Sequence, residues 1–170
     1  MDTLKHFKIF FLLILSSCVK TEYTKIDNSF TDIHLKEWNS STCPRKIIFE
    51  RYKKNTSFTT LIDSNKKFDI KGCDSIYYKF NQRVFTPKLN YVGSINYDIK
   101  IIIDDSLEYR ITDIQDKLDT ISGSSGPGKW IIMNNIKSLV INGKKLDNTK
   151  KPLSFNVPTN LGKIIKKQQY

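Results

Sequence analysis

The chain reads as a mainly β protein, an antiparallel sandwich with at most one short helix. Three observations carry that reading. Apolar residues recur at every second position, polar turn clusters interrupt these runs at short intervals, and β-branched residues crowd the longest run. Ile33 and Leu35 alternate with His34 and Lys36, and Ile47 and Phe49 with Ile48 and Glu50, so each pair of residues presents one face to a core. Polar residues Lys53 to Thr56 form a turn before a strand over Ser57 to Ile62. Asp63 to Lys66 form a second turn before Phe68 to Ile70, and Ser75 to Phe80 follow as another strand.

Ser94 to Ile103 break at Asp104-Asp105-Ser106, and Leu107, Tyr109 and Ile111 resume the alternation, which predicts a hairpin. Ile111, Ile114, Leu118 and Ile121 fall at helical spacing. Thr112 with Gln115 fits a capping box and Gly123 a stop, so one short helix is expected there. Asn142-Gly143 is a strong hairpin turn between Leu139 to Ile141 and Lys144 to Leu146, and Pro152 and Pro158 bracket a last strand. Many short strands with little helix favour a sandwich with immunoglobulin-type layering.

The start of the chain is of another kind. Lys5 and Lys8 precede the apolar run Ile9 to Leu15, which is shorter than the roughly twenty residues needed to span a bilayer, and Ser16, Ser17 and Cys18 follow. Leu15-Ser16-Ser17-Cys18 resembles the lipobox of bacterial lipoproteins, an aliphatic residue and two small ones before the cysteine that becomes the acylated N-terminus. The resemblance covers the signal alone. It implies a signal peptide over 1–17 and a lipid on Cys18; the polar, aperiodic residues that follow read as a lipidated tether over 18–29, the strand pattern sets a β domain over 30–160, and the lysines near the end mark a basic tail over 161–170. The resemblance also implies a membrane partner, engaged through lipid on Cys18. Several acyl chains hold a protein firmly where one holds it marginally. Val19 favours the outer over the inner membrane, and the envelope is the expected location.

Acylation of Cys18 leaves Cys43 and Cys73, which are expected to form a disulfide in an oxidising compartment. The net charge of the full chain is +11, and its distribution is uneven. Residues 91–120 hold three basic against seven acidic side chains, and residues 121–170 nine against one. A basic body at an anionic envelope is drawn to an acidic protein or an envelope glycan; nucleic acid is not an expected partner.

Catalytic signals are weak. Gly123, Gly128 and Lys129 match a phosphate-binding loop, but Trp130 stands where the metal-binding hydroxyl belongs. That stretch reads instead as a partner-contact loop involving Gly126, Lys129 and Trp130. His34 is the one histidine after the signal, which excludes a histidine-rich zinc site and leaves one candidate base for a hydrolase. Asp113, Asp116 and Asp119 would share a helix face, without a calcium-loop pattern. No catalytic residue, metal or cofactor is therefore expected. Asp74-Ser75-Ile76, Asp105-Ser106-Leu107 and Asp119-Thr120-Ile121 resemble the O-glycosylation acceptor motif of exported Bacteroidota proteins, which makes Ser75, Ser106 and Thr120 candidate acceptors. The expected function is a non-catalytic binding or structural role at the envelope, the alternative being an immunity or inhibitor lipoprotein that neutralises a secreted effector or hydrolase.

Overall fold

The computed structural model describes residues 22–26, 30, 32–38, 42–73, 82–87, 95–122, 128–148 and 153–165. Every regular element among them is a strand: β1 (Glu22–Ile26), β2 (Ile33–Lys36), β3 (Ile47–Lys53), β4 (Leu61–Asn65), β5 (Phe68–Lys71), β6 (Gln82–Pro87), β7 (Tyr97–Ile103), β8 (Leu107–Ser122), β9 (Lys129–Ile141), β10 (Lys144–Asp147), β11 (Ser154–Asn156) and β12 (Lys163–Ile164). The described residues divide into two compact units, those within 26–119 and 133–165 and those within 22–25 and 120–132.

The larger unit is a sandwich. One sheet runs β9-β8-β7-β3-β4, with β10 on β9 and β12 on β8; the other runs β11-β2-β6-β5. Alternation decides which faces meet. Ile47 pairs with Ile103, Phe49 with Ile101 and Ile101 with Tyr109, so side chains two residues apart form one apolar face across three strands. Ile33, Leu35, Phe85 and Phe155 of the second sheet, all fully buried, complete the core. Each such side chain contributes about 1.5–3 kcal/mol when removed from water. Tyr109 and Phe155 bring their ring centroids to 4.8 Å, and Phe30 meets Phe49 edge-on at 5.6 Å. β3 pairs antiparallel with β4 and β7, β7 with β8, β8 with β12, β9 with β10, and β6 with β2 and β5, whereas β11 runs parallel to β2, with Phe155 beside Leu35.

Four expectations are corrected. The stretch predicted as a helix, Ile111 to Ile121, belongs to β8. Asp113 adopts a left-handed φ of 49°, and there the buried positions switch from Tyr109 and Ile111 to Ile114. One extra residue at a kink thus imitates helical spacing within a strand. Ser57 to Thr60 lie in a turn that precedes β4 and not in a strand, with Asn55, Ser57 and Phe58 at positive φ and the Asn55 amide donating to Asp98 Oδ2 at 3.1 Å. Residues 22–26 of the expected tether form β1, whose Tyr, Thr and Ile suit a strand. Residues 161–165 of the expected tail enter the fold: Leu161 is buried, and Lys163 and Ile164 pair with Glu108 and Leu107. The strand expected over Ser75 to Phe80 lies outside the described residues.

In the smaller unit β1 lies beside β9. Lys129 and Trp130 open β9, both exposed.

Candidate functional site

Three chain segments converge at one end of the sandwich. The first leaves β2 at Lys36. Glu37, at φ 58°, turns the chain so that Trp38 folds inward and is 9% exposed. The Trp38 indole N–H donates to the Thr42 carbonyl at 3.1 Å, and Arg83 Nη2 donates to the same oxygen at 3.2 Å. Arg83 lies on β6 opposite Leu35 and is fully buried, a placement that a guanidinium tolerates only where carbonyls or carboxylates receive its protons. Thr42 is held in turn by its neighbour Cys43, joined to Cys73 by a disulfide with Cα atoms 5.7 Å apart.

The second segment is the β7–β8 turn. Asp104 and Asp105 both take positive φ, 51° and 53°, and the Ser106 amide donates to the Ile103 carbonyl at 3.0 Å, which closes a type I′ turn. Asp104 Oδ1 accepts the amides of Arg45 at 2.7 Å and Lys46 at 2.8 Å, and Lys46 Nζ reaches Asp105 at 2.9 Å. The turn is thereby tied to the strand entry beyond Cys43.

The third segment follows β11. The Val157 amide donates to Lys36 O at 3.1 Å, the Val157–Pro158 peptide is cis, and the Ile165 amide donates to Ser106 O at 2.8 Å. Between the three lies a cavity of about 410 Å³ lined by Glu37, Trp38, Thr42, Ser106, Leu107, Val157, Pro158 and Ile164. Its surface is mostly apolar. Glu37 supplies a carboxylate, and the Ser106 hydroxyl donates to Ile103 O at 3.3 Å. Lys36, Arg45, Lys46 and Lys163, all exposed, flank the lining along the chain. Ile164 is 69% exposed, an apolar side chain at the mouth. The cavity falls within the size range of small-ligand pockets.

A second polar group lies on β3 and β7. Glu50 Oε2 accepts from Lys100 Nζ at 2.8 Å and from the Tyr52 hydroxyl at 2.6 Å, with the Lys100 ammonium 4.8 Å from the Tyr52 ring centre. Burial pushes the Glu50 carboxyl up, but hydrogen bonds from Lys100 and Tyr52 and the Lys100 charge hold it below its ordinary value. This arrangement braces two strands.

Of the residues singled out in the sequence, Cys43 and Cys73 meet as expected. Ser106 lines the cavity and Thr120 is exposed on β8. Lys129 and Trp130 sit in a strand rather than a loop; Trp130 is 38% exposed. Cys18, Ser75 and Gly126 lie outside the described residues. His34 is half-buried on β2, and its amide donates to Leu153 O at 2.9 Å. The acidic trio does not converge: Asp116 accepts the Ile95 amide at 2.9 Å, while Asp119 accepts from Asn135 Nδ2 at 2.6 Å and faces Lys117 at 3.2 Å. Hydrogen bonds from Asn135 and Lys117 hold the Asp119 carboxyl below its ordinary value. Among the described residues no three His, Cys, Asp or Glu side chains are grouped to hold a metal ion.

Sequence reasoning missed Trp38, Leu107, Pro158 and Ile164 as a group. An aromatic residue just past a strand end was the available local signal; the partners that turn it into a recess are remote in the chain. No known protein family matches this chain, and neither a curated protein nor a solved structure matches it.

Proposed function

We propose that this is an exported, lipid-anchored protein of the bacterial envelope whose sandwich binds a protein partner, without catalysis, in the recess around Trp38. The observation that supports this most directly is the construction of the recess. Three separate segments are fastened by a disulfide, the Asp104 carboxylate and backbone hydrogen bonds around an apolar hollow with Ile164 exposed at its mouth. A hollow held this way loses little conformational entropy on binding. The flanking lysines and arginine favour a partner segment that presents an apolar side chain between acidic groups, and they speed its approach.

The test is copurification with the native lipidated protein, extracted from membranes at low and high salt, beside the variant Ile164→Glu. Ile164 is a surface position, so its substitution leaves stability within about 0.5 kcal/mol. A stoichiometric acidic partner, lost at high salt and absent from the variant, is the expected result. Equal recovery by both proteins places the contact elsewhere.

A further inference from the structure

We infer that the strand end carrying Lys129 and Trp130 docks in the headgroup layer of the same membrane that holds the lipid anchor. The inference rests on acylation of Cys18 and adds a second, protein-borne contact with the bilayer.

Glu22 opens β1 four residues after Cys18. Even a fully extended chain advances only about 3.3–3.6 Å per residue, so β1 begins within about 14 Å of an acylated Cys18. β1 is also paired into the sheet beside β9, and the compact unit that contains it takes in the described residues 120–122 and 128–132. A lipid on Cys18 therefore tethers that unit, rather than a free-swinging domain, to the surface.

The side chains at this strand end have the chemistry of a membrane boundary. Trp130 is 38% exposed, whereas Trp38 is 9% exposed. An indole has an apolar body and one N–H donor, which suits the zone between acyl chains and water; bilayer-facing proteins concentrate tryptophan at that depth. Lys129, also exposed, precedes it and can direct its ammonium to phosphate while its methylenes lie along apolar surface. Charge agrees. Between Cys18 and Lys25, and from Thr120 to Ile132, the sequence holds Lys20, Lys25 and Lys129 against the single acid Glu22. A small positive excess beside an anionic leaflet is attractive.

The experiment uses the natively lipidated full chain in vesicles of phosphatidylethanolamine and phosphatidylglycerol, with bromine placed on the acyl chains either near the headgroup or near the methyl end. Tryptophan emission is recorded for the wild type and for Trp130→Phe, with vesicle flotation and the mass of the N-terminal peptide in parallel. Quenching by the shallow bromines that disappears in Trp130→Phe is expected, with a weaker effect in Lys129→Glu. Flotation with an acylated N-terminus, but Trp130 equally bright in brominated and plain vesicles, overturns the docking and leaves the anchor intact. A chain that neither floats nor carries acyl mass removes the anchor reading and the docking with it. Shielding of Trp130 by a copurified protein, with no bromine quenching once that protein is washed away, assigns the strand end to a protein contact and also overturns it.

Discussion

The side-chain amide of Asn142 donates to the Leu161 carbonyl at 2.5 Å, so a hairpin turn residue holds the C-terminal segment in place. The same nitrogen donates to Glu108 O at 3.0 Å, and Asn142 Oδ1 accepts the Arg110 amide at 3.0 Å. Asn142 also takes φ 47° ahead of Gly143 at 86°, the conformation of a type I′ turn. Asn142→Gly keeps the turn and loses the three side-chain bonds, at a cost of about 1–3 kcal/mol. Asn142→Ala adds roughly 1 kcal/mol for its Cβ at positive φ. Urea unfolding measures both; a glycine variant as stable as the wild type would show that the side-chain clamp contributes nothing.

Tyr109 is fully buried, and its hydroxyl makes no hydrogen bond among the described residues. Tyr109→Phe is accordingly expected to stabilise by about 1 kcal/mol, since a buried hydroxyl without a partner costs more than its removal. Burial also raises the phenol pKa well above 10. The folded chain therefore prefers the neutral phenol, and the unfolded chain gains stability by ionising it once pH exceeds about 10. Wild-type stability is expected to fall above that pH, and more steeply than in Tyr109→Phe. Gly162 sits against the same ring, where an added Cβ would meet Tyr109 Cζ and Oη at 3.0 Å. Gly162→Ala is expected to cost about 1–3 kcal/mol through overpacking, read by thermal melting.

The Glu50 carboxyl is held below its ordinary value, so the sign of its linkage is fixed. Its contribution is fully present above pH about 4.5 and is lost as pH falls through the folded-state value. Lys100→Met removes the ammonium that supplies much of this effect and is expected to cost about 1–2 kcal/mol at neutral pH. Between pH 7 and pH 4 the wild type should lose stability, read from its urea midpoint, that the variant does not, because without Lys100 burial of the Glu50 carboxylate is less opposed and protonation relieves it. Parallel midpoints over that range would mean that the pair does not couple to folding.

Reduction of the Cys43–Cys73 bond is expected to act on stability and on the recess together. Closing a loop with a sequence separation of 30 is worth about 3–4 kcal/mol in the chain-entropy model. Thr42, whose carbonyl receives both Trp38 and Arg83, is the residue before Cys43. In a Trp130→Phe background, Cys43→Ser with Cys73→Ser should shift Trp38 emission to the red under conditions where circular dichroism still reports a folded sheet. Unchanged emission would separate the disulfide from the recess.

The two best-defined hairpin turns were legible because each depends on a few contiguous residues. Asp104-Asp105 and Asn142-Gly143 tolerate positive φ, and the apolar alternation on either side sets the register. The disulfide was legible by parity once Cys18 was set aside. The same local logic misread β8, because a kink at Asp113 shifts the buried positions by one residue and produces a spacing that a helix would also produce.

By itself, then, the sequence determined a β-rich class, the places where the chain reverses and the faces that seek a core. These follow from backbone sterics and side-chain polarity over short spans. Only the tertiary structure decided that β11 lies parallel to β2, that β1 joins β9, and that Trp38, Leu107, Pro158 and Ile164 surround one hollow. The hollow's walls come from segments far apart in the chain. Their meeting depends on which strand edges share hydrogen bonds and on side chains such as Asp104, Arg83 and Asn142 finding remote backbone partners, a choice set by the free energy of the whole packing and not by any one stretch.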